Sequence, residues 1–233
     1  TITEGASISP QEITIQDFTK PITYTVTAED GVTTQEWIVA VQLVRPFITR
    51  WQPEIDEDEG DDSFLFIGFD SDFDYDFSYQ WKDENGEVIE IGSLTTDDEE
   101  LFSTFPNENE FTLEIIGAFP YLADYFEPTL LDVLQWGDIE WRSFESTFRN
   151  WPGEAFSAQD APDLSQVTSM RTMFRQAGSF NGDVSDWDVS NVIDIAGIFN
   201  EASSFAGDVS QWQVDNVTDM QGAFNGTLFN GDL

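Results

Sequence analysis

The residues able to do chemistry in this chain are almost all carboxylates. There is no Cys and no His. That removes disulfides, thiolate ligands, the usual general base and the commonest metal ligand. The stretch FDSDFDYDF, residues 69–77, sets Asp70, Asp72, Asp74 and Asp76 at every second position. Read as a strand, it turns Phe73, Tyr75 and Phe77 to one side and the carboxylates to the other. Such a row repels unless it is hydrated or bridged by a cation, and calcium takes several carboxylate oxygens. A second run, EIDEDEGDD at 54–62, gathers Asp56, Asp58 and Asp62 around Gly60 and has the composition of a loose calcium loop. Both have a plainer reading. No Gly follows the D-x-D-x-D pattern of the first, which then serves as an exposed strand face that discourages edge pairing. The second reads as a solvated acidic loop, as does TTDDEE at 95–100. Calcium is the one cofactor suggested, and none is required.

Paired carboxylates also suffice for glycoside hydrolysis. With 46 acids in 233 residues, a pair at suitable separation arises by chance, and nothing marks a deep pocket. The expectation is a protein without enzyme activity.

The 46 acids stand against 8 bases, a net charge of −38. Phosphates are repelled by such a surface, which argues against nucleic acid and against anionic membranes as partners. No stretch approaches the roughly 20 apolar residues of a membrane helix, so direct membrane insertion is not expected. Apolar residues make up 40%, with 21 Phe and 8 Trp, enough for packed cores.

These residues must be positioned by three regions of different texture. Residues 1–45 alternate as strands in PITYTVTAEDGVTTQEWIVAVQL, with Asp30-Gly31 as a hairpin signal. They read as the C-terminal half of an immunoglobulin-like β module, or as a complete small sheet docked on the region after it. Residues 46–127 hold the densest acid, with strand candidates at 63–69, 73–81, 87–92 and 111–117 and a tight turn at Asn85-Gly86. They predict a small acidic antiparallel β unit of sandwich type.

Residues 128–233 repeat. FNGDVSDWDVSNV at 180–192 returns as FAGDVSQWQVDNV at 205–217. Phe174, Phe199 and Phe224 are 25 apart, as are Met170, Ile195 and Met220, and Trp187 and Trp212; WRSFESTF at 141–148 is a degenerate earlier copy. Full units span 168–192 and 193–217, with a partial one at 218–233. Met170, Met173, Phe174 and Ala177 have the spacing of a short amphipathic helix, and DVSDWDV alternates as a short strand. A period of 25 with both elements predicts an α/β solenoid whose repeated Phe and Trp stack into one core. With Trp187 and Trp212 inward, Asp186, Asp188, Gln211 and Gln213 point outward and are the candidate partner-facing residues. The plainer reading is that they vary because nothing depends on them.

TDMQGAF (218–224), DVSDWDVSNV (183–192) and DVSQWQVDNV (208–217) resemble the repeats of BspA-type leucine-rich-repeat surface proteins. PFITRW (46–51), FSYQW (77–81), FTLEIIGAFP (111–120) and LLDVLQWGDIEW (130–141) resemble that family's lead-in, in order. Residues 1–45 look like the immunoglobulin-like modules that precede such regions in Bacteroidota surface proteins. WKDENG at 81–86 departs from the family's WGDG. The resemblance implies a secreted or cell-surface protein, a leucine-rich-repeat-like α/β solenoid, adhesion to a protein or glycan, and no catalysis. The chain stops in mid-repeat at FNGDL, so the natural protein is expected to continue. A second expectation is a structural subunit that binds copies of itself through its ends and builds a surface layer or filament.

Overall fold

The computed structural model describes residues 6–10, 20–40, 43–55, 63–107, 109–123 and 129–231, and the chain divides into two units, Thr1–Val44 and Arg45–Leu233. The first unit is one antiparallel sheet in the order β1-β2-β3, made by β1 (Ser7–Ser9), β2 (Ile22–Thr27) and β3 (Thr34–Val39). The hairpin β2–β3 turns at Asp30-Gly31. The Asp30 carboxylate accepts the amides of Val32 and Thr33, and Gly31 supplies the left-handed φ of 69°. Every residue of β3 is exposed.

The second unit begins with two packed sheets. One has five strands: β4 (Phe47–Trp51), β7 (Asp76–Lys82), β8 (Val88–Thr95), β10 (Phe111–Ala118) and β11 (Leu130–Gln135), in the order β11-β4-β10-β7-β8. The other is β5 (Glu54–Ile55), β6 (Ser63–Gly68) and β9 (Glu100–Phe105), in the order β5-β6-β9. All pairings are antiparallel. Alternation decides which face is buried. In β4, Phe47, Thr49 and Trp51 point in; in β9, Leu101, Ser103 and Phe105 do. The faces meet where Trp81 crosses Phe105 edge-on at 5.1 Å and donates its indole N–H to Ser103 Oγ at 2.9 Å. A buried indole with its donor satisfied contributes packing without a desolvation cost.

Trp136, just after β11, carries this core into the repeats. It packs edge-on against Trp141, Phe144, Phe148, Phe156 and Trp187. The Asp160 carboxylate holds the corner. It accepts the Trp136 and Gly137 amides at 3.0 Å each and pairs with Arg45 at 3.2 Å.

From residue 141 the expected α/β solenoid of leucine-rich-repeat type is overturned. The structure is all-β, with antiparallel sheets, and among the described residues there is no helix. Neither the helix expected over 170–177 nor the strand expected over 183–189 forms. Each 25-residue copy is instead a coil of successive β-turns. Met173, Arg175 and Ala177 donate their amides three residues back, to Met170, Thr172 and Phe174. The amides between them leave the coil altogether. Met170, Thr172, Phe174 and Gln176 donate to the carbonyls of Asp194, Ala196, Ile198 and Asn200 in the next copy. The same four-rung ladder joins residues 144–150 to 169–175, and 195–201 to 219–225. The cause is a pair of left-handed residues in every copy: Ser146 and Asn150, Thr172 and Gln176, Gly197 and Glu201, Gly222 and Gly226. A left-handed corner every fourth residue cannot continue a right-handed helix. The i, i+3, i+4, i+7 apolar spacing survives because β-turns also advance by three.

Inside the coils the repeated aromatics do stack. Phe148, Phe174, Phe199 and Phe224 form one column with centroids 5.5, 5.3 and 5.7 Å apart. Phe180, Phe205 and Phe229 form a second, at 6.2 and 6.5 Å.

Candidate functional site

Among the described residues, the acids singled out by spacing do not converge. Asp70 sits in a turn, where its carboxylate accepts the Asp72 amide and its carbonyl accepts the Phe73 amide. Strand β7 begins only at Asp76, so Asp70, Asp72 and Asp74 do not extend a carboxylate row along it. Asp56, Asp58 and Asp62 lie outside the described residues. Among the described residues, no group of three or more Asp or Glu is placed to hold a metal ion.

The outward residues of the repeats are brought together. Asp186, Asp188, Gln211 and Gln213, with Ser185, Trp187 and Val189, line a shallow groove of about 300 Å³. The indoles contribute little to its surface: Trp187 is 5% exposed, and Trp212 is tied to the Val184 carbonyl at 2.9 Å. Asp188 accepts the Ser190 amide, and its carboxyl is lowered by its hydrogen bonds with Ser190. The Asp183 and Asp208 carboxyls are lowered in the same way, by bonds to Ser185 and Ser210. These carboxylates brace turns.

A larger recess, about 440 Å³, opens at the ends of β6 and β9. Its apolar wall is Phe66, Phe69, Phe73 and Tyr75; its polar wall is Asp70, Thr96, Asp98, Glu99 and Glu100. The position of each ring follows from local structure. Phe69 stacks on Tyr75 at 4.6 Å, and Phe73 leans on Tyr121 at 5.2 Å. Tyr75 donates its hydroxyl to the Tyr121 carbonyl at 3.1 Å, while its amide donates to Thr96 Oγ1 at 2.8 Å. Burial raises the Tyr75 phenol to about 12, opposed by the Asp70 amide's hydrogen bond and reinforced by the Asp70 charge. The acids hang on a turn in which Asp98 accepts the Thr95 amide at 2.8 Å and the Glu99 carbonyl accepts the Phe69 amide at 3.0 Å.

Beside the recess, the outer face of the three-stranded sheet carries exposed rings. Phe66 is 38% exposed and Phe102, its cross-strand neighbour, is 53% exposed. Phe64 stacks on Phe102 at 6.0 Å. Exposed rings clustered on one sheet face, continuous with a recess, make this a candidate interaction surface. Sequence reasoning missed it. The available signal was SFLFIGF at 63–69, apolar at both odd and even positions, which puts rings on both faces of one strand.

Residues 142–233 match the family model described as "Mycoplasma protein of unknown function, DUF285", and residues 1–41 match the model described as "SGBP, N-terminal". No curated protein and no solved structure matches the chain. Neither match describes an immunoglobulin-like module or a leucine-rich repeat. The first match supports, at a coarse level, a BspA-like repeat surface protein, and the two together support a surface-associated binding protein.

Proposed function

We propose that the protein is a non-enzymatic glycan-binding module at a cell surface, and that the recess bounded by Phe66, Phe73 and the 98–100 acids is where the sugar sits. The observation that carries this is the pairing of aromatic and carboxylate walls in one open recess. The apolar face of a pyranose packs against a ring, and its hydroxyls donate to carboxylates, which are acceptors only. A neutral sugar suits a chain of net charge −38, because an anionic polymer would be repelled. The match to a family whose initials stand for surface glycan-binding protein supports the same reading. Hydrolysis is disfavoured by exposure. A catalytic acid must be held neutral in an apolar setting, whereas Asp98, Glu99 and Glu100 are open to solvent.

The test is affinity electrophoresis through gels containing neutral polysaccharides, with Phe66→Ala and Phe102→Ala alongside. Retardation by at least one polysaccharide, weakened in Phe66→Ala, is expected. Equal mobility in every gel, or retardation unchanged in both variants, overturns the proposal.

A further inference from the structure

The repeats hold an unexpected concentration of positive charge. Of the chain's 8 bases, Arg142, Arg149, Arg171 and Arg175 fall within the first two copies. A recess of about 220 Å³ runs across three successive coils, lined by Arg171, Thr172 and Arg175 of the first, Ala196, Gly197 and Asn200 of the second and Gln221 of the third.

The two arginines differ in how they are satisfied. Arg171 is paired with Asp194 at 3.2 Å and with Asp219 at 3.6 Å. Arg175 has no ion pair among the described residues, and its Nε, shielded from solvent, has no hydrogen-bond partner. Arg149 lies in the same column one copy earlier, where the Asn150 amide donates to the Arg175 carbonyl at 2.9 Å. It too has no ion pair among the described residues. A guanidinium such as that of Arg175, without a counter-ion among the described residues in a chain with 46 acids, is an arrangement that folding alone does not favour. A guanidinium fork is matched by a planar carboxylate. The other lining side chains are a hydroxyl and two amides, which suit ring hydroxyls.

We infer that this recess is a second sugar site, specific for a single carboxylate-bearing residue, a uronic acid, held by Arg175 with Arg171 beside it. A recess of about 220 Å³ is smaller than a typical ligand pocket and suits a single sugar residue rather than a longer chain. A polyanion would meet the acid-rich remainder of the surface. The site stands independently of the aromatic recess, since the two share no lining residue.

The experiment is an NMR titration of the 233-residue chain, reading the arginine Nε–H resonances, with glucuronate, glucose and acetate as separate probes. Glucuronate is expected to shift the Arg175 Nε–H, with acetate weaker and glucose silent. Arg175→Met should weaken glucuronate binding by about tenfold or more, as expected for loss of a charge-assisted bidentate contact. Gln221→Glu is the second variant. It places a like charge at an exposed rim position without touching the core, and should abolish binding while leaving the melting temperature unchanged. Glucose acting like glucuronate, acetate binding as tightly as glucuronate, or Gln221→Glu binding as well as the parent would each overturn the assignment. Phe66→Ala is expected to leave glucuronate binding intact, so failure of the neutral-glycan reading is seen separately.

Discussion

Thr172 and Gly197 occupy the same left-handed corner in adjacent coils, with φ of 54° and 63°. A methyl built on Gly197 would lie 3.3 Å from Thr172 Cγ2. A β-branched residue at positive φ is strained, whereas Asn is tolerated there. Thr172→Asn should therefore stabilise the protein by about 0.5–1 kcal/mol. Gly197→Val should destabilise it by about 2 kcal/mol, since it adds strain and crowds Thr172. Thermal melts check both signs. A lower melting temperature for Thr172→Asn would show that the Ser146–Thr172 hydroxyl contact at 2.9 Å outweighs the backbone strain.

That corner also explains what could be read from sequence and what could not. The Phe column at a spacing of 25 foretold stacked rings, because burial of a repeated side chain leaves a periodic trace. That no helix would form was illegible. Turn and helix share the i, i+3 step, and the residues that break the helix include Thr172, Gln176 and Glu201, none of which announces a left-handed φ. Strand β10 was visible through its alternation, but β9 was not, because LFSTF is short and follows an acidic run. The pairing of β4 with β11 spans about eighty residues of chain, which no local pattern encodes. At the sites, Asp186 and Asp188 are exposed on either side of buried Trp187, in turns rather than in the expected strand. The exposure of Phe66 was not legible, because nothing in a single sequence says which face of a doubly apolar strand is covered.

The Phe199 ring lies 3.7 Å from that of Phe205, 5.3 Å from Phe174 and 5.7 Å from Phe224, centroid to centroid. Truncating it opens a cavity in both columns. Phe199→Ala should cost about 3–5 kcal/mol, measured by urea unfolding. Phe102→Ala, on an exposed ring, should stay within about 0.5 kcal/mol of the parent. That contrast ensures that loss of glycan binding in the Phe102 variant is not loss of fold.

Thr147 sits in the column filled by Met173, Ile198 and Ala223 in later copies. It is fully buried, and its hydroxyl has no hydrogen-bond partner. An unmade bond leaves the desolvation cost of the hydroxyl uncompensated. Thr147→Val keeps the shape and removes the polar atom, so it should raise stability by about 1 kcal/mol. A loss of stability would mean that the hydroxyl is bonded in solution.

Tyr75 links pH to the aromatic recess. Its phenol is raised from 10.0 in the unfolded chain to about 12 by burial. Folding thus favours the protonated form. The contribution is fully present below pH 10.0 and is lost as pH rises through about 12. Alkaline melts should fall more steeply in the parent than in Tyr75→Phe, which has no proton to lose. Parallel curves would show that Tyr75 is solvated.

Salt should act on the whole charge before it acts on any site. With a net charge of −38, self-repulsion is screened as ionic strength rises, and the melting temperature should climb with NaCl. CaCl2 at matched ionic strength gives the same rise if calcium acts only by screening. A larger rise with calcium would instead reveal bound ions, since a ligand that binds only the folded state adds stability by mass action. Asp56, Asp58 and Asp62 would then be the acids to replace. If Asp58→Asn removed the calcium excess and left the NaCl response unchanged, the loop at 54–62 would hold the ion. If it changed neither, the excess would belong to acids elsewhere on the surface.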